Sequence, residues 1–365
     1  MSVRHLYVHL PFCASRCGYC AFVVHVGALG RRDAYLEALA GELDSEAATL
    51  GPLDTVYLGG GTPTLMRPRR LRTLMETIGP LLAEGAEVSI EANPETVDRR
   101  ALRELRAMGI NRISLGVQSF RPHLLAALDR QATPQQARDA VGCARAAGFE
   151  DLSIDLMFGV PGQTPADLEA DLADALALGP DHVSWYELEI KPDTALERMG
   201  AEPVDEDEGA DAYRRIVQGL EDAGYRWYET ANFARPGHEC RHSLAYWGAA
   251  DYLGIGVGAV STVAGRRWRN APSLEGYLHA HATGAEPSRT REPLDADDLR
   301  RERWMLGLRL GDGMDVAWAG PPDHPEAMAR LEAAGLLVRG DGTVALTREG
   351  RFVQNAILHE LMEYA

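Results

Sequence analysis

Three of the five cysteines, Cys13, Cys17 and Cys20, fall within eight positions in the spacing C-x3-C-x2-C. Each iron of an iron–sulfur cube takes one soft sulfur ligand, and a loop of this length can curl so that three thiolates hold three corners. The fourth iron is then left open to a small chelating molecule. A structural zinc knuckle is the alternative, and it needs a fourth closing ligand, which His9 or His25 can offer. Further polar residues stand at the ends of apolar runs: Glu91 in Ile90-Glu91-Ala92-Asn93-Pro94, Gln118 in Gly116-Val117-Gln118-Ser119, and Asp155. Singly, each can be a helix cap or a surface group. Together, at corresponding positions, they can give a cationic centre negative charge and a diol its paired acceptors. Gly59-Gly60-Gly61-Thr62-Pro63-Thr64 lacks the spacing and lysine of a phosphate loop, and by itself reads as a tight turn.

These residues need strands to hold them. Short apolar runs at 6–10, 55–58, 88–90, 112–117, 152–157 and 183–188 alternate with helical patterns, such as Leu71, Leu74, Met75 and Ile78. Three junctions repeat one another: Gly109, Gly148 and Gly179 each close a helix and lead to Ile113-Ser114-Leu115, Leu152-Ser153-Ile154 and Val183-Ser184-Trp185. Parallel strands need crossovers, so the pattern predicts an α/β fold, a partial (β/α)6 TIM-like barrel over 1–190 with the cysteine loop at 13–20. Barrel sites gather at the C-terminal ends of strands, where the polar residues fall. Residues 191–294 read as an extension of the barrel, with an acidic connection at 201–211, a helix at 212–223 and a strand at 225–228. Glycines alternating with apolar residues from Gly254 to Gly258 let another backbone or a flat ligand come close. Residues 295–365 read as a small helical, winged-helix-like domain with a hairpin about Arg339-Gly340-Asp341-Gly342.

The formal charge of −17 disfavours a nucleic-acid partner, as do the four Arg against seven Asp or Glu of residues 321–365. No apolar run reaches the ~18–20 residues of a membrane span. The N-terminus enters a strand almost at once, leaving no signal peptide, and the cysteine count is odd, so the expected setting is the reducing cytoplasm.

Several stretches together resemble the coproporphyrinogen III oxidase-like branch of the radical S-adenosylmethionine (SAM) superfamily, and most closely its HemW type of haem chaperone. They are C-x3-C-x2-C-x-F (Cys13 to Phe22), residues 59–64, 91–94 and 116–119, Leu128-Asp129-Arg130, residues 155–159 with 161–164, and residues 228–234. The resemblance runs from Tyr7 essentially to the C-terminus. It implies that Cys13, Cys17 and Cys20 ligate a [4Fe–4S] cluster whose open iron is chelated by SAM. It further implies that Tyr7, Gly60 and Glu91 contact that SAM, and that Gly61, Thr62, Gln118, Arg130 and Asp155 bind it or a second SAM. Cys240-Arg241-His242-Ser243-Leu244-Ala245-Tyr246-Trp247 resembles the haem-binding motif H-N-x-x-Y-W, with Ser243 in place of the asparagine, which makes His242 the implied haem ligand within a candidate region 238–262. Val260 and Ala21 also depart from the family pattern, standing where a histidine and an aspartate or asparagine are usual.

The oxidases carry a fourth cysteine two positions after the third and a longer N-terminal segment. Here that position is Phe22, and six residues precede Tyr7. The expected function is therefore a chaperone binding a cluster, SAM and haem, which delivers haem to apo-haemoproteins and takes electrons from a reductant. An oxygen-independent coproporphyrinogen III oxidase and a C-methyltransferase using two SAM molecules are the enzymatic alternatives.

Overall fold

The computed structural model describes residues 2–362. Six strands run parallel in chain order: β1 (Val3–Leu10), β2 (Leu50–Gly60), β3 (Leu82–Ala92), β4 (Arg112–Gln118), β5 (Asp151–Phe158) and β6 (His182–Glu187). The chain then returns to both edges. β7 (Arg226–Trp227) and β8 (Asn232–Ala234) continue the sheet antiparallel beyond β6, and β9 (Leu253–Ile255) lies parallel to β1. The order is β9-β1-β2-β3-β4-β5-β6-β8-β7, and its two ends do not pair, so the barrel is open.

Helices α1 (Arg32–Glu46), α2 (Pro68–Ile78), α3 (Arg99–Ala107), α4 (Pro134–Ala146) and α5 (Pro165–Leu178) cross between the parallel strands. α2 buries Leu71, Leu74, Met75 and Ile78, the residues its periodicity marks out. Capping boxes open α4 at Thr133 with Gln136 and α5 at Thr164 with Asp167. Gly109, Gly148 and Gly179 all take positive φ, the left-handed turn that lets each helix hand over to the next strand.

Two elements differ from expectation. β2 and β3 each run eleven residues, and β2 takes in Gly59 and Gly60, which the sequence reads as a turn after the strand. The helix expected at 212–223 is α6 (Glu206–Asp222), which starts six residues earlier. The acidic run is its first turn: Asp205 accepts hydrogen bonds from the N–H groups of Asp207 and Glu208, and carboxylates favour the positive end of the helix.

Alternation along the strands builds the site. Leu58, Val88, Ile90, Ile113, Leu115, Ile154, Leu156 and Val183 face the helices and form the main core. The opposite face carries Tyr57, Ser89, Glu91, Ser114, Gly116, Asp155, Ser184 and Tyr186. Closed barrels fill this space with branched apolar side chains, whereas here it is a cavity of about 550 Å³ with polar side chains on its strand face.

A second core, centred on Trp304, Leu308, Leu331, Val344 and Leu358, holds the C-terminal helices around a three-stranded antiparallel sheet made by Met314–Asp315, Leu337–Gly340 and Thr343–Leu346. Arg351 ties this module to the barrel: its Nη1 donates to the Trp227 carbonyl at 2.7 Å and its guanidinium lies over the Trp227 ring. Among the described residues no helix is long and apolar enough to cross a membrane.

Candidate cluster and cofactor site

The three cysteines ride on a loop fastened at several points. Phe12–Cys13 pairs with His25–Val26, which brings the two ends of the loop together. Within it, Cys20 N–H donates to the Cys17 carbonyl (3.1 Å), and Arg16 donates to the carbonyls of Cys20 and Val24. Gly18 is held from both sides, its N–H to the Leu128 carbonyl (3.1 Å) and its carbonyl to the Leu196 N–H (2.9 Å). Cys13 is buried and Cys17 and Cys20 are half-buried, all as free thiols lining the mouth of the cavity.

Burial pushes the Cys13 thiol up to about 11 and raises that of Cys20. The local counterweights are the Thr62 hydroxyl, 3.7 Å from Cys13 Sγ, and the nearby Arg16. Arg130 Nη1 stands 3.5 Å from Cys17 Sγ. Buried thiols of this kind become thiolates when a metal replaces the proton. Among the described residues no three His, Cys, Asp or Glu side chains converge as a single ion requires. Three thiols around an open space instead suit a cube, which spreads its ligands over three irons.

The residues expected around SAM gather on one wall. Glu91, at the end of β3, accepts from the Tyr57 hydroxyl (2.9 Å) and from the Gly60 N–H (3.0 Å). Burial pushes its carboxyl up to about 7. Asp155 accepts from Ser114 (2.8 Å) and Ser184, and burial raises it too. Arg130 is half-buried; it donates to Asn93 (3.0 Å) and to the Gly116 carbonyl, and its Nε has no partner among the described residues. Gln118 sits at φ 68°, a conformation costly to a side-chain-bearing residue and typical of functional sites.

The glycine edge is dictated by packing. A Cβ on Gly60 would lie 2.5 Å from the His9 ring, and one on Gly61 2.8 Å from the backbone of Pro11 and Phe12. The N–H groups of Gly60, Gly61 and Thr62 are already bonded, to Glu91, Leu10 and Phe12. What this edge can offer a ligand is therefore acceptor oxygen, suited to the N–H groups of an amine. An orphaned guanidinium N–H for a carboxylate, acceptors for an amine and open-sided thiols together match a cluster-bound amino acid.

Two expected residues stand apart from this wall. Tyr7 does not line the cavity: its hydroxyl bonds to His9 Nδ1 (3.0 Å) and its ring stacks beside Tyr57. His242 lies in the helix α7 (Arg241–Trp247) and is only 2% exposed. Its Nδ1 meets the Thr55 hydroxyl at 2.7 Å, its ring lies between Tyr57 and Tyr246, and its Nε2 has no partner among the described residues. Cys240 and Ser243 face the cavity instead. On the other side of α7 lies a groove of about 300 Å³, lined by Tyr246, Tyr252, Arg267, Glu302 and Arg303.

The alternating glycines of 254–258 admit backbone rather than a flat ligand. Cβ atoms would fall 2.1 Å from the Val260 carbonyl at Gly254 and 2.7 Å from the His9 carbonyl at Gly256. Sequence reasoning missed Tyr57 and Asn93, which orient Glu91 and Arg130, and gave no role to Ser114 and Ser184, which orient Asp155. The signal for two of them was the period-two alternation, which puts Asn93 on the face of Glu91 and Ser114 on that of Gln118; Tyr57 and Ser184 lie in strands with no candidate residue at that spacing.

The chain matches the family model of the radical SAM superfamily over residues 7–175 and that of the HemN C-terminal domain over 294–353. It is 40% identical to the heme chaperone HemW of Mycobacterium tuberculosis, across 98% of this chain and 94% of that protein. It is 39% identical to the HemW of Escherichia coli, across 97% and 96%. The structure of the coproporphyrinogen III oxidase HemN of Escherichia coli, a radical SAM enzyme, superposes with a TM-score of 0.86 at 26% identity, covering all of this chain and 91% of that one. The chain thus belongs to the radical SAM superfamily and, within its coproporphyrinogen oxidase-like branch, to the HemW family.

Proposed function

We propose that the protein is a cytoplasmic haem chaperone that holds a [4Fe–4S] cluster with SAM at its mouth and carries haem to apo-haemoproteins. The observation that carries this reading is the near-full-length identity to HemW proteins, together with phenylalanine at position 22 where the oxidases have a fourth cysteine. Cys13, Cys17 and Cys20 would hold the cluster. When bound and reduced, the cluster supplies the electron that can cleave a sulfonium. Arg130 would take the carboxylate of SAM and the edge at Gly60, Gly61 and Thr62 its amine. Glu91, Gln118 and Asp155 would orient the rest, and Tyr7 would act from behind Tyr57.

Glu91 makes SAM binding pH-dependent in this scheme. Its carboxyl titrates about 7 in the folded protein because burial disfavours the charge, and a cation needs the carboxylate form. Below pH 7 SAM affinity should fall more steeply in the wild type than in Glu91→Gln, by a factor approaching about tenfold per pH unit, beyond the fall both share because an α-ammonium, which titrates at about 7.7–8.0 when free, must lose its proton to reach iron. Equilibrium titration of the anaerobic protein between pH 5.5 and 8.5 (about one SAM Kd per half unit) measures this. In Glu91→Gln that extra steepness should vanish; equal pH profiles in the two proteins would remove Glu91 from the site.

His242 is the proposed haem ligand through its free Nε2, with Thr55 fixing the ring. The ring is enclosed, so ligation requires α7 to move. Protein reconstituted anaerobically and mixed with haem should develop a Soret band that His242→Ala abolishes, and an unchanged band would end this assignment.

One observation favours a catalytic reading beside it. The cavity continues past Asp155 to Arg112, Asn232 and Cys240, with Lys191, paired to Glu189, also on its wall; Arg112 and, once released from Glu189, Lys191 suit the carboxylates of a porphyrinogen. Incubation of reduced protein with SAM and coproporphyrinogen III distinguishes the readings: protoporphyrinogen formation would make it an oxidase, and a methylated product a methyltransferase.

A further inference from the structure

The acidic residues of this chain are unevenly placed. Spread evenly, 54 in 365 residues would put about eight in the 53 positions 1–32 and 55–75; those positions hold none. They hold eight arginines, of which only Arg4 lies at the far end of β1, paired with Asp54. The other seven belong to the cysteine loop and the two segments packed beside it. Arg16 is on the loop. Arg31 and Arg32 follow its return leg, and Arg32 reaches back to the Leu65 carbonyl. Arg67, Arg69, Arg70 and Arg72 open α2, and burial together with the nearby Arg70 and Arg67 depresses the pKa of Arg32. Asp33, Glu37 and Glu275 border this face, and Asp33 and Glu275 pair with Arg70 and Arg31. Arg67, Arg69 and Arg72 are exposed and have no carboxylate partner among the described residues.

The loop that carries Arg16 also presents two apolar side chains to solvent: Phe22, 67% exposed, two residues from Cys20 and at the rim of the cavity, and Val26, 49% exposed and paired through its backbone with Cys13. An exposed aromatic beside a one-sign patch is the composition of a transient docking face, in which charge steers the approach and a small apolar centre makes contact. A basic face on a molecule of net charge −17 selects an acidic partner, because the rest of the surface repels one.

We infer that the face formed by Phe22, Val26, Arg31, Arg67 and Arg69 docks a small acidic electron-carrier protein. This rests on the proposed cluster at Cys13, Cys17 and Cys20. One electron passes from the carrier's flavin hydroquinone, oxidised to the semiquinone, to the [4Fe–4S]2+ cluster, reduced to the 1+ state; no covalent bond to the protein forms or breaks.

The test uses the full chain, reconstituted anaerobically, with a purified flavodoxin as the carrier. The flavodoxin should bind at low ionic strength and weaken as salt rises. Arg67→Glu with Arg69→Glu should weaken binding and slow flavodoxin-driven cluster reduction, each by about tenfold or more, with Arg67→Gln/Arg69→Gln in between. Phe22→Ser should weaken binding without altering its salt dependence. Dithionite should reduce the cluster to the same final extent in every variant, iron content should be unchanged, and Arg330→Glu on the C-terminal module should behave as wild type. Flavodoxin binding that survives charge reversal overturns the proposal. So does a reversal that abolishes binding to vesicles of anionic phospholipid and leaves the flavodoxin unaffected, which would make the face a membrane contact. Wild-type protein that binds flavodoxin through these arginines but holds no iron would sink the cluster assignment and leave the docking face standing.

Discussion

Cys17→Ala is expected to reduce bound iron and sulfide from about four each per chain to nearly none, and to remove the cluster's visible absorption. Two remaining thiolates would leave two corners of the cube to solvent, and a cluster so held is lost to hydrolysis or chelators. The fold should survive, because Cys17 is half-buried on a loop tied down by backbone bonds at Gly18 and Cys20, and losing its sulfur costs no core packing. Circular dichroism and the thermal midpoint should therefore stay near wild type. Cys143→Ala, outside the site, should keep its iron. A Cys17→Ala protein that retained a full cluster would show that another side chain supplies the ligand.

The second large effect concerns stability. Glu42 on α1 is buried and accepts from the Gly256 N–H (2.8 Å), Asn270 Nδ2 (2.7 Å), the Tyr277 hydroxyl (2.6 Å) and Arg289 Nη2 (3.2 Å). Glu42→Leu takes the acceptor from the Gly256 N–H and the Tyr277 hydroxyl, leaves Asn270 Nδ2 with the Gly256 carbonyl, and leaves Arg289 with Glu46 as its one carboxylate among the described residues, beside Asn270 Oδ1. Removing one partner of a buried charge network costs about 3–5 kcal/mol, so urea unfolding should show a loss of that order, and less in Glu42→Gln. The consequence reaches the cluster loop. The Tyr35 hydroxyl accepts from the Val257 N–H (3.0 Å) and donates to the His9 carbonyl (2.8 Å), and His9 Nε2 meets the Val23 carbonyl (2.8 Å). Loosening the turn at Gly256 should therefore make any cluster held by that loop more labile to chelators. Stability unchanged in Glu42→Leu would show that this network contributes nothing.

The sequence shows the barrel clearly because each strand and helix declares itself locally. Apolar residues at helical spacing in α2 and glycines with positive φ at Gly109, Gly148 and Gly179 need no knowledge of the rest of the chain. The cysteine spacing is equally local. What could not be read are pairings made across the fold. β9 joins β1 from more than 240 residues away, and the partners of Glu91 and Asp155 come from neighbouring strands whose register the sequence does not state. The direction of His242 was hidden for the same reason. In a helix of seven residues, facing is decided by what the helix packs against. Here Glu87 accepts from the N–H groups of Arg241 and His242, and Thr55 holds the ring, which turns Cys240 and Ser243 toward the cavity.

Three thiolates should leave one iron of the cube free for SAM, and Mössbauer spectroscopy of the 57Fe-reconstituted protein with and without SAM reads that iron separately. A single iron should change its isomer shift and quadrupole splitting when the amine and carboxylate add to it, while the other three keep theirs. Four irons indifferent to SAM, or a protein that takes up one zinc and no cube, would contradict it.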